Sequence, residues 1–314
     1  MSGPVVAVPL TKCVGANYVW SSVPHASLPK TNAPNSGRLN ASHAAVVCRP
    51  RSEELIYSKM RRIALFAHYD AQAQVKPYIL YYLQRLREVC DDVIFISNSP
   101  LSEHEIAKTR PICSRVHLRD NVGYDFGMWR DGLKLVDCAE WDEVVLTNSS
   151  VFGPIHPLDD VFRRMSEVRC DFWGMTDSTE ISWHLQSYFL VFRRKVLDSA
   201  AFADFWRGVL PYRDKSQVVR SYEIGLSCFL REQGFVPAAV VPVASVPVPW
   251  FRRRKPNPTL AYAETLLRSG MPFVKVELLR DNPFGRPLAA VYLALEAAGY
   301  DGSLVVFDRS RLGK

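Results

Sequence analysis

Twelve residues, Asn121 to Gly132, read "NVGYDFGMWRDG" and bring a turn-forming Asn-Val-Gly together with an acid, aromatic residues, an arginine and a second acid. Two chemistries fit. Gly123 supplies a left-handed turn and Asp125 caps a following helix, worth about 1 kcal/mol. Alternatively, the face carrying Gly127, Arg130, Asp131 and Lys134 sets a small residue beside two cations in a helix's first turns, which suits a phosphate. Asn148, Ser149 and Ser150 close "VVLTNSSVFGP". A buried strand ending in three polar residues delivers side chains to the carboxyl edge of a sheet, although the same residues suit a plain turn before Gly153-Pro154. His68 to Gln72, "HYDAQ", follow another strand in the same way. Three polar turns at one edge predict a cleft.

The elements that must position these turns are legible from periodicity. "RIALFA" (62–67) is a short apolar run with a buried strand's length, and "VIFIS" (93–97), the strand-like "RVHL" (115–118) and "EVVLTN" (143–148) follow it. Helical patterns fall between them: Val75, Ile79, Tyr82, Leu83, Leu86 and Val89 in one segment, and Phe126, Trp129, Leu133 and Val136 in the segment after Gly123. Such alternation predicts a mostly parallel α/β sheet with ligands beyond the carboxyl ends of its strands. The second half is less regular. "DFWGM" and "SYFLVFR" read as strands, "AFADFWRGV" and "YEIGLSCFLREQG" as helices, "FVKVELL" (273–279) as a last strand and "RPLAAVYLALEAAG" as a closing helix. Residues 1–59, rich in Ser, Pro, Asn and Ala, predict a poorly ordered extension; 60–285 form the expected catalytic domain, and 286–314 a helical segment and tail.

Composition narrows the classes. With 314 residues and 48% hydrophobic content the chain can bury a large core unaided. Seven scattered cysteines without metal-ligand spacing favour a reducing, cytoplasmic setting. The longest apolar window, from Phe235, is broken by Pro237, Pro242, Pro247 and Pro249, and reads as edge strand and loop. The amino terminus lacks a secretory pattern. The net charge is +7, and "FRRRK" (251–255) supplies four of the positives. That run reads as a solvated loop or as a contact for anionic lipid headgroups or sugar phosphates at the inner face of the cell membrane. No recognition helix, zinc knuckle or stacking platform accompanies it, so nucleic acid is not an expected partner.

Seven fragments in order, "FAHYDAQAQVKPYILYYLQRL", "FISNSPLS", "NVGYDFGMWRDGL", "VVLTNSSVFGP", "DFWGMTDS", "HLQSYFLVFRRKVL" and "PFVKVELLRDNP", resemble the rhamnan synthesis protein F family of cell-surface polysaccharide glycosyltransferases. The resemblance covers roughly Met60 to Pro283. It implies a GT-A-like α/β fold, two abutting Rossmann-like βαβ halves around one mostly parallel twisted sheet. It also implies a nucleotide-sugar donor, by family analogy dTDP-β-L-rhamnose, transferred with inversion onto a lipid-linked glycan acceptor of a surface polysaccharide or O-antigen.

By the same resemblance His68, Tyr69 and Asp70 form the turn beside the donor nucleotide. Asn121, Gly123, Asp125 and Gly127 are similar to the turn that lies against the nucleoside, with Arg130 and Asp131 on the donor side. Asn148, Ser149 and Ser150 fall where such enzymes carry an acidic metal motif. Serine at 149 is a poor ligand for Mg²⁺ or Mn²⁺, so three outcomes stand open: Asp125 or another acid still holds a metal, cations such as Arg130 or Arg280 replace it, or the enzyme is impaired; the alternative reading is a non-catalytic carbohydrate- or nucleotide-binding member of the family. For the general base, Glu223 in a helix's first turn and Asp177 at a strand's end compete, although the helix dipole alone favours an acid at the former and turn chemistry one at the latter. His184 is an acceptor contact, a metal ligand or a structural histidine, and Gln186 is assigned to the acceptor side.

Overall fold

The computed structural model describes residues 60–245 and 257–305. Its sheet is built from short apolar runs whose alternate residues face opposite sides. Ala64 and Phe66 of β1 (Arg62–His68) point into one core, and Ile63, Leu65 and Ala67 into the other. Helix α1 (Pro77–Val89), with proline at its start, returns the chain to β2 (Asp92–Ser97). Helix α2 (Glu103–Thr109), β3 (Arg115–Leu118), α3 (Tyr124–Leu133) and β4 (Glu143–Asn148) repeat the alternation. Every residue of β4 is buried, as both faces of a central parallel strand should be.

The second half begins with the two-residue β5 (Val151–Phe152), followed by α4 (Leu158–Ser166) and β6 (Phe172–Ser178). Strands β7 (His184–Leu185) and β8 (Phe189–Arg193) come next, then α5 (Arg194–Leu197) and α6 (Ala200–Arg207). A continuous helical run follows: α7 (Lys215–Val218), a π-helical segment Val219–Ile224, and α8 (Gly225–Glu232). Strand β9 (Pro237–Val241) pairs only with β6, as an edge strand starting with proline should. After it come α9 (Pro258–Ala261), α10 (Ala263–Arg268), β10 (Val274–Lys275), α11 (Val276–Asp281) and α12 (Ala289–Ala297).

The main sheet runs β3-β2-β1-β4-β8-β6-β7, with β9 beside β6. Only β7 and β8 run against the other strands, so the central sheet is mostly parallel within a mixed α/β fold. One face is covered by α1, α4 and the carboxyl-terminal helices, with Leu278, Val291 and Leu295 in the same core as Phe66 and Trp173. The other is covered by α3, α6 and α8, where Phe126, Trp129, Trp206 and Tyr222 pack on Leu65 and Ile96. All described residues belong to one compact unit. No helix among them is long and apolar enough to cross a membrane.

The expected strand at 273–279 is corrected. Only Val274 and Lys275 are extended, pairing antiparallel with Phe152 and Val151, and the chain then turns into α11. Glu277 lies in the first turn of that helix and Arg280 in its last, where each charge complements the dipole, and Leu278 and Leu279 bury together. Alternation over "VKVEL" fitted a strand; those charges and the adjacent leucines fit a helix better. The expected extension at 1–59 and the basic run 251–255 lie outside the described residues.

Candidate active site at the carboxyl edge of the sheet

Strands β1, β2 and β4 end side by side in polar residues: His68 beside Ser97, and Ala67 beside Asn148. The end of β4 is braced from three sides. Trp129 Nε1 donates to the Thr147 carbonyl at 3.1 Å, Tyr82 shares a 2.6 Å bond with the Thr147 hydroxyl, and that hydroxyl donates to the Tyr188 carbonyl at 2.8 Å. Asn148 is therefore held rigidly. A directed chain of hydrogen bonds runs through it. Lys275 Nζ donates to Ser150 Oγ at 3.4 Å, Ser150 Oγ to Asn148 Oδ1 at 2.6 Å, and Asn148 Nδ2 to Asp125 Oδ2 at 2.8 Å. A cation thus stands at one end and a carboxylate at the other.

Glu223 completes the group. Its Oε1 accepts the Ser187 amide at 2.9 Å, and its charge acts on both Asp125 and Lys275. Burial pushes the Asp125 carboxyl up to about 6, opposed by Lys275 and reinforced by Glu223. Burial also lowers the Lys275 ammonium from its ordinary value, opposed by Glu223 and Asp125. Both shifts run toward the neutral forms, because burial disfavours each charge by more than its opposite neighbours restore.

Two local expectations change. The cap of α3 is Gly123, whose φ of 78° uses the left-handed freedom of glycine; its amide donates to the Tyr212 carbonyl. Asp125 does not cap the helix, because its carboxylate is turned toward Asn148. Glu223 is not in a first turn either. The helix starts at Lys215, capped by the Asp214 carboxylate on the Ser216 amide, and Glu223 lies in the π-helical segment two turns later. The dipole therefore does not explain an acid there, whereas π-segments often mark functional sites.

The remaining candidates divide. His68 is buried with Nδ1 3.0 Å from Ser97 Oγ, and burial lowers its pKa to about 4. Tyr69 is exposed, and its amide donates to Ser149 Oγ at 3.4 Å. Asp70 organises its own turn, accepting the Gln72 and Gln74 amides and pairing with Lys76 at 2.7 Å. Asn121 accepts from Asn98 Nδ2 at 3.4 Å. A Cβ on Gly127 would stand 2.9 Å from the Val122 carbonyl and 3.3 Å from the Arg119 guanidinium, so the chain's own groups fill that space. Asp131 pairs with Arg119, Arg130 and Lys134, and Arg130 also donates to the Val209 carbonyl. Among the described residues these bonds do not join Arg130 to the Asn148 chain. Arg280 pairs with its neighbour Asp281 at 2.7 Å.

Asp177, the rival candidate base, accepts from Trp183 Nε1 at 2.7 Å with one oxygen and from the Val243 amide with the other. Buried His184 shares a 2.8 Å bond with the Ser182 carbonyl. Gln186 donates to Asn257 Oδ1 at 2.8 Å, while its own Oε1 is buried without a partner among the described residues. Two features escaped the reading of the chain. The buried Ser97-Asn98-Ser99 turn lies within the fragment "FISNSPLS" without being expected at the site, and Lys275 stood inside the expected strand at 273–279.

A divalent ion fits this constellation poorly. Asn148 Oδ1 already accepts from both the amide and the hydroxyl of Ser150, Ser149 offers a neutral hydroxyl, and the Lys275 ammonium shares the space with Asp125. No group of three His, Cys, Asp or Glu side chains suited to a metal occurs among the described residues.

Residues 93–312 match the rhamnan synthesis protein F family. The chain belongs to that family. "Virulence protein VirA" of Vibrio anguillarum (strain ATCC 68554 / 775) is 27% identical over 261 residues, covering 74% of this chain and 83% of that protein. "Uncharacterized protein y4gN" of Sinorhizobium fredii (strain NBRC 101917 / NGR234) is 33% identical over 149 residues, 46% of this chain and 39% of that one. Among solved structures, S. aureus TarS 1-349 in complex with UDP is 14% identical, with 80% of this chain and 74% of that chain covered at a TM-score of 0.40. A score this low fixes no residue correspondence.

Proposed function

We propose that this member of the rhamnan synthesis protein F family is a glycosyltransferase of polysaccharide synthesis. The cleft bounded by Asp125, Asn148, Ser150, Glu223 and Lys275 is its donor site, and the donor is a nucleotide sugar. The observation that carries this reading is the convergence of two carboxylates and a lysine on the carboxyl edge of the sheet, where α/β folds conduct chemistry. In the finer form, the sugar is L-rhamnose from dTDP-β-L-rhamnose and the acceptor a lipid-linked glycan at the inner face of the cell membrane. Glu223 takes the proton of the acceptor hydroxyl as its oxygen bonds the anomeric carbon, and the bond to the diphosphate breaks on the opposite face, inverting the centre. Glu223 is favoured over Asp177 because only one of its oxygens is bonded among the described residues, against both of Asp177's.

The test has two parts. At millimolar concentration dTDP or UDP should raise the melting temperature, since a ligand at about 100 times its Kd adds about 2.7 kcal/mol to the folded state. Incubation with dTDP-β-L-rhamnose and a lipid-linked acceptor should then give glycosylated product. Absence of stabilisation by any nucleoside diphosphate would overturn the donor-site reading; stabilisation without transfer to any acceptor would leave a binding protein.

A further inference from the structure

Lys275 reaches the cleft through backbone geometry alone. The ribbon of β5 and β10 sets Lys275 opposite Val151, and the Val276 amide donates to the Ser150 carbonyl at 2.9 Å, locking the register one residue beyond β4's polar end. The ammonium lies 4.4 Å from the centre of the Tyr188 ring and 3.4 Å from Ser150 Oγ. Several other cations near the edge have carboxylate partners: Lys76 pairs with Asp70, Arg119 and Arg130 share Asp131, and Arg280 pairs with Asp281, while the Lys215 charge acts on Asp125 and Lys275 from farther off. Lys275 differs from the paired cations. Among the described residues it has no carboxylate within ion-pair distance, only a long hydroxyl contact and an aromatic face. Lys275 is half-buried, and a cation drawn part-way out of water without a close counter-ion gains when an anion arrives beside it.

Resting on the donor-site reading, we propose that Lys275 replaces a divalent ion as the charge that grips the donor's diphosphate and takes up negative charge as that group leaves. The ammonium offers three donors to phosphate oxygens. Ser150 and Asn148 hold the lysine's end of the cleft in register, and Asp125 and Glu223 set the field that a bound diphosphate changes. Charge development is met by a fixed cation, with no metal to be recruited.

Calorimetric titration with dTDP, UDP and thymidine, in buffer containing EDTA, tests this. Wild-type protein should bind a nucleoside diphosphate undiminished by EDTA. Lys275→Met should weaken that binding by about 10–100-fold, the loss of one charge-assisted contact, while thymidine affinity changes less than about twofold. Lys275→Arg keeps the charge and should retain most of the affinity; with the EDTA arm it decides the matter if the methionine variant fails to fold. Diphosphate binding that is equal in wild type and Lys275→Met, or that collapses in EDTA and returns with Mn²⁺, overturns the assignment while leaving the donor site standing. Wild-type protein that binds none of the nucleotides removes the donor site and the lysine's role with it.

Discussion

Asn148 Nδ2 donates to Asp125 Oδ2 across 2.8 Å, tying the last residue of β4 to the first turn of α3. The bond joins two elements that also share the Trp129 Nε1 bond to the Thr147 carbonyl, and it fixes which way the asparagine amide faces. With Oδ1 turned to Ser150, that side chain can pass polarity from Lys275 to Asp125 in one sense only.

Asp125→Asn tests the burial of that carboxylate. A folded-state pKa of about 6 against an ordinary 3.8 means that the folded protein holds a proton the unfolded chain has released. Stability from this group therefore falls as pH rises from about 4 to about 6. The isosteric amide removes the penalty, so the variant should gain on the order of 2 kcal/mol over wild type at pH 7 and little at pH 4. Urea unfolding at both pH values measures the difference; an equal gain at each would refute buried-charge strain.

His68 has the opposite sign. Burial lowers its pKa from 6.5 to about 4, so the folded protein keeps it neutral while the unfolded chain takes up a proton. Stability is lost as pH falls from about 6.5 toward 4, by about 3 kcal/mol at the acid end. His68→Gln should flatten that acid limb when melting temperature is followed against pH. A slope unchanged by the substitution assigns the acid sensitivity elsewhere.

Glu223→Gln preserves shape and the bond from Ser187 while removing the proton acceptor. Transfer should fall by about 10²–10⁴-fold with nucleotide affinity retained. Asp177→Asn, by contrast, should act on stability, because both its oxygens brace the Trp183 and Val243 segments. Near-normal turnover in Glu223→Gln would move the base to another residue.

Arg130→Ala separates the geometry from the motif. Its guanidinium is committed to Asp131 and the Val209 carbonyl, so the variant should lose about 1–2 kcal/mol of stability and keep its thermal shift with dTDP. A lost shift with intact folding would bring the arginine into the donor site.

Gly123→Ala should cost about 1–3 kcal/mol. The residue sits at φ 78°, and an added Cβ would lie 3.2 Å from both the Gly127 and Pro211 Cα atoms. Thermal unfolding checks it; a cost below about 0.5 kcal/mol would mean that the turn relaxes freely.

Strands β1, β2 and β4 were legible because buried parallel strands are short apolar runs, whereas the partly exposed edge strand β3 followed from its place in the alternation; each ends near where its run stops. Gly123 was legible because few residues tolerate a left-handed turn. Partnership was not. "RDG" reads alike whether Arg130 faces a ligand or Asp131, and only the packing of α3 against the 209–212 loop decides. Lys275 stayed hidden for a related reason. Its neighbour in the cleft is Ser150, far away in sequence, brought close by a two-residue ribbon too short to leave a periodic signal.

That ribbon also sets an order in time. Every strand of the main sheet lies before residue 242, so a chain lengthening on the ribosome makes the whole sheet before it makes Lys275. At about 5–20 residues per second the gap lasts some seconds. During it the nascent chain has Asp125 and Glu223 without the lysine whose charge acts on them. The cation at the sheet's edge thus arrives with the same carboxyl-terminal segment that supplies Leu278, Val291 and Leu295 to the core, so a chain released early would lack both.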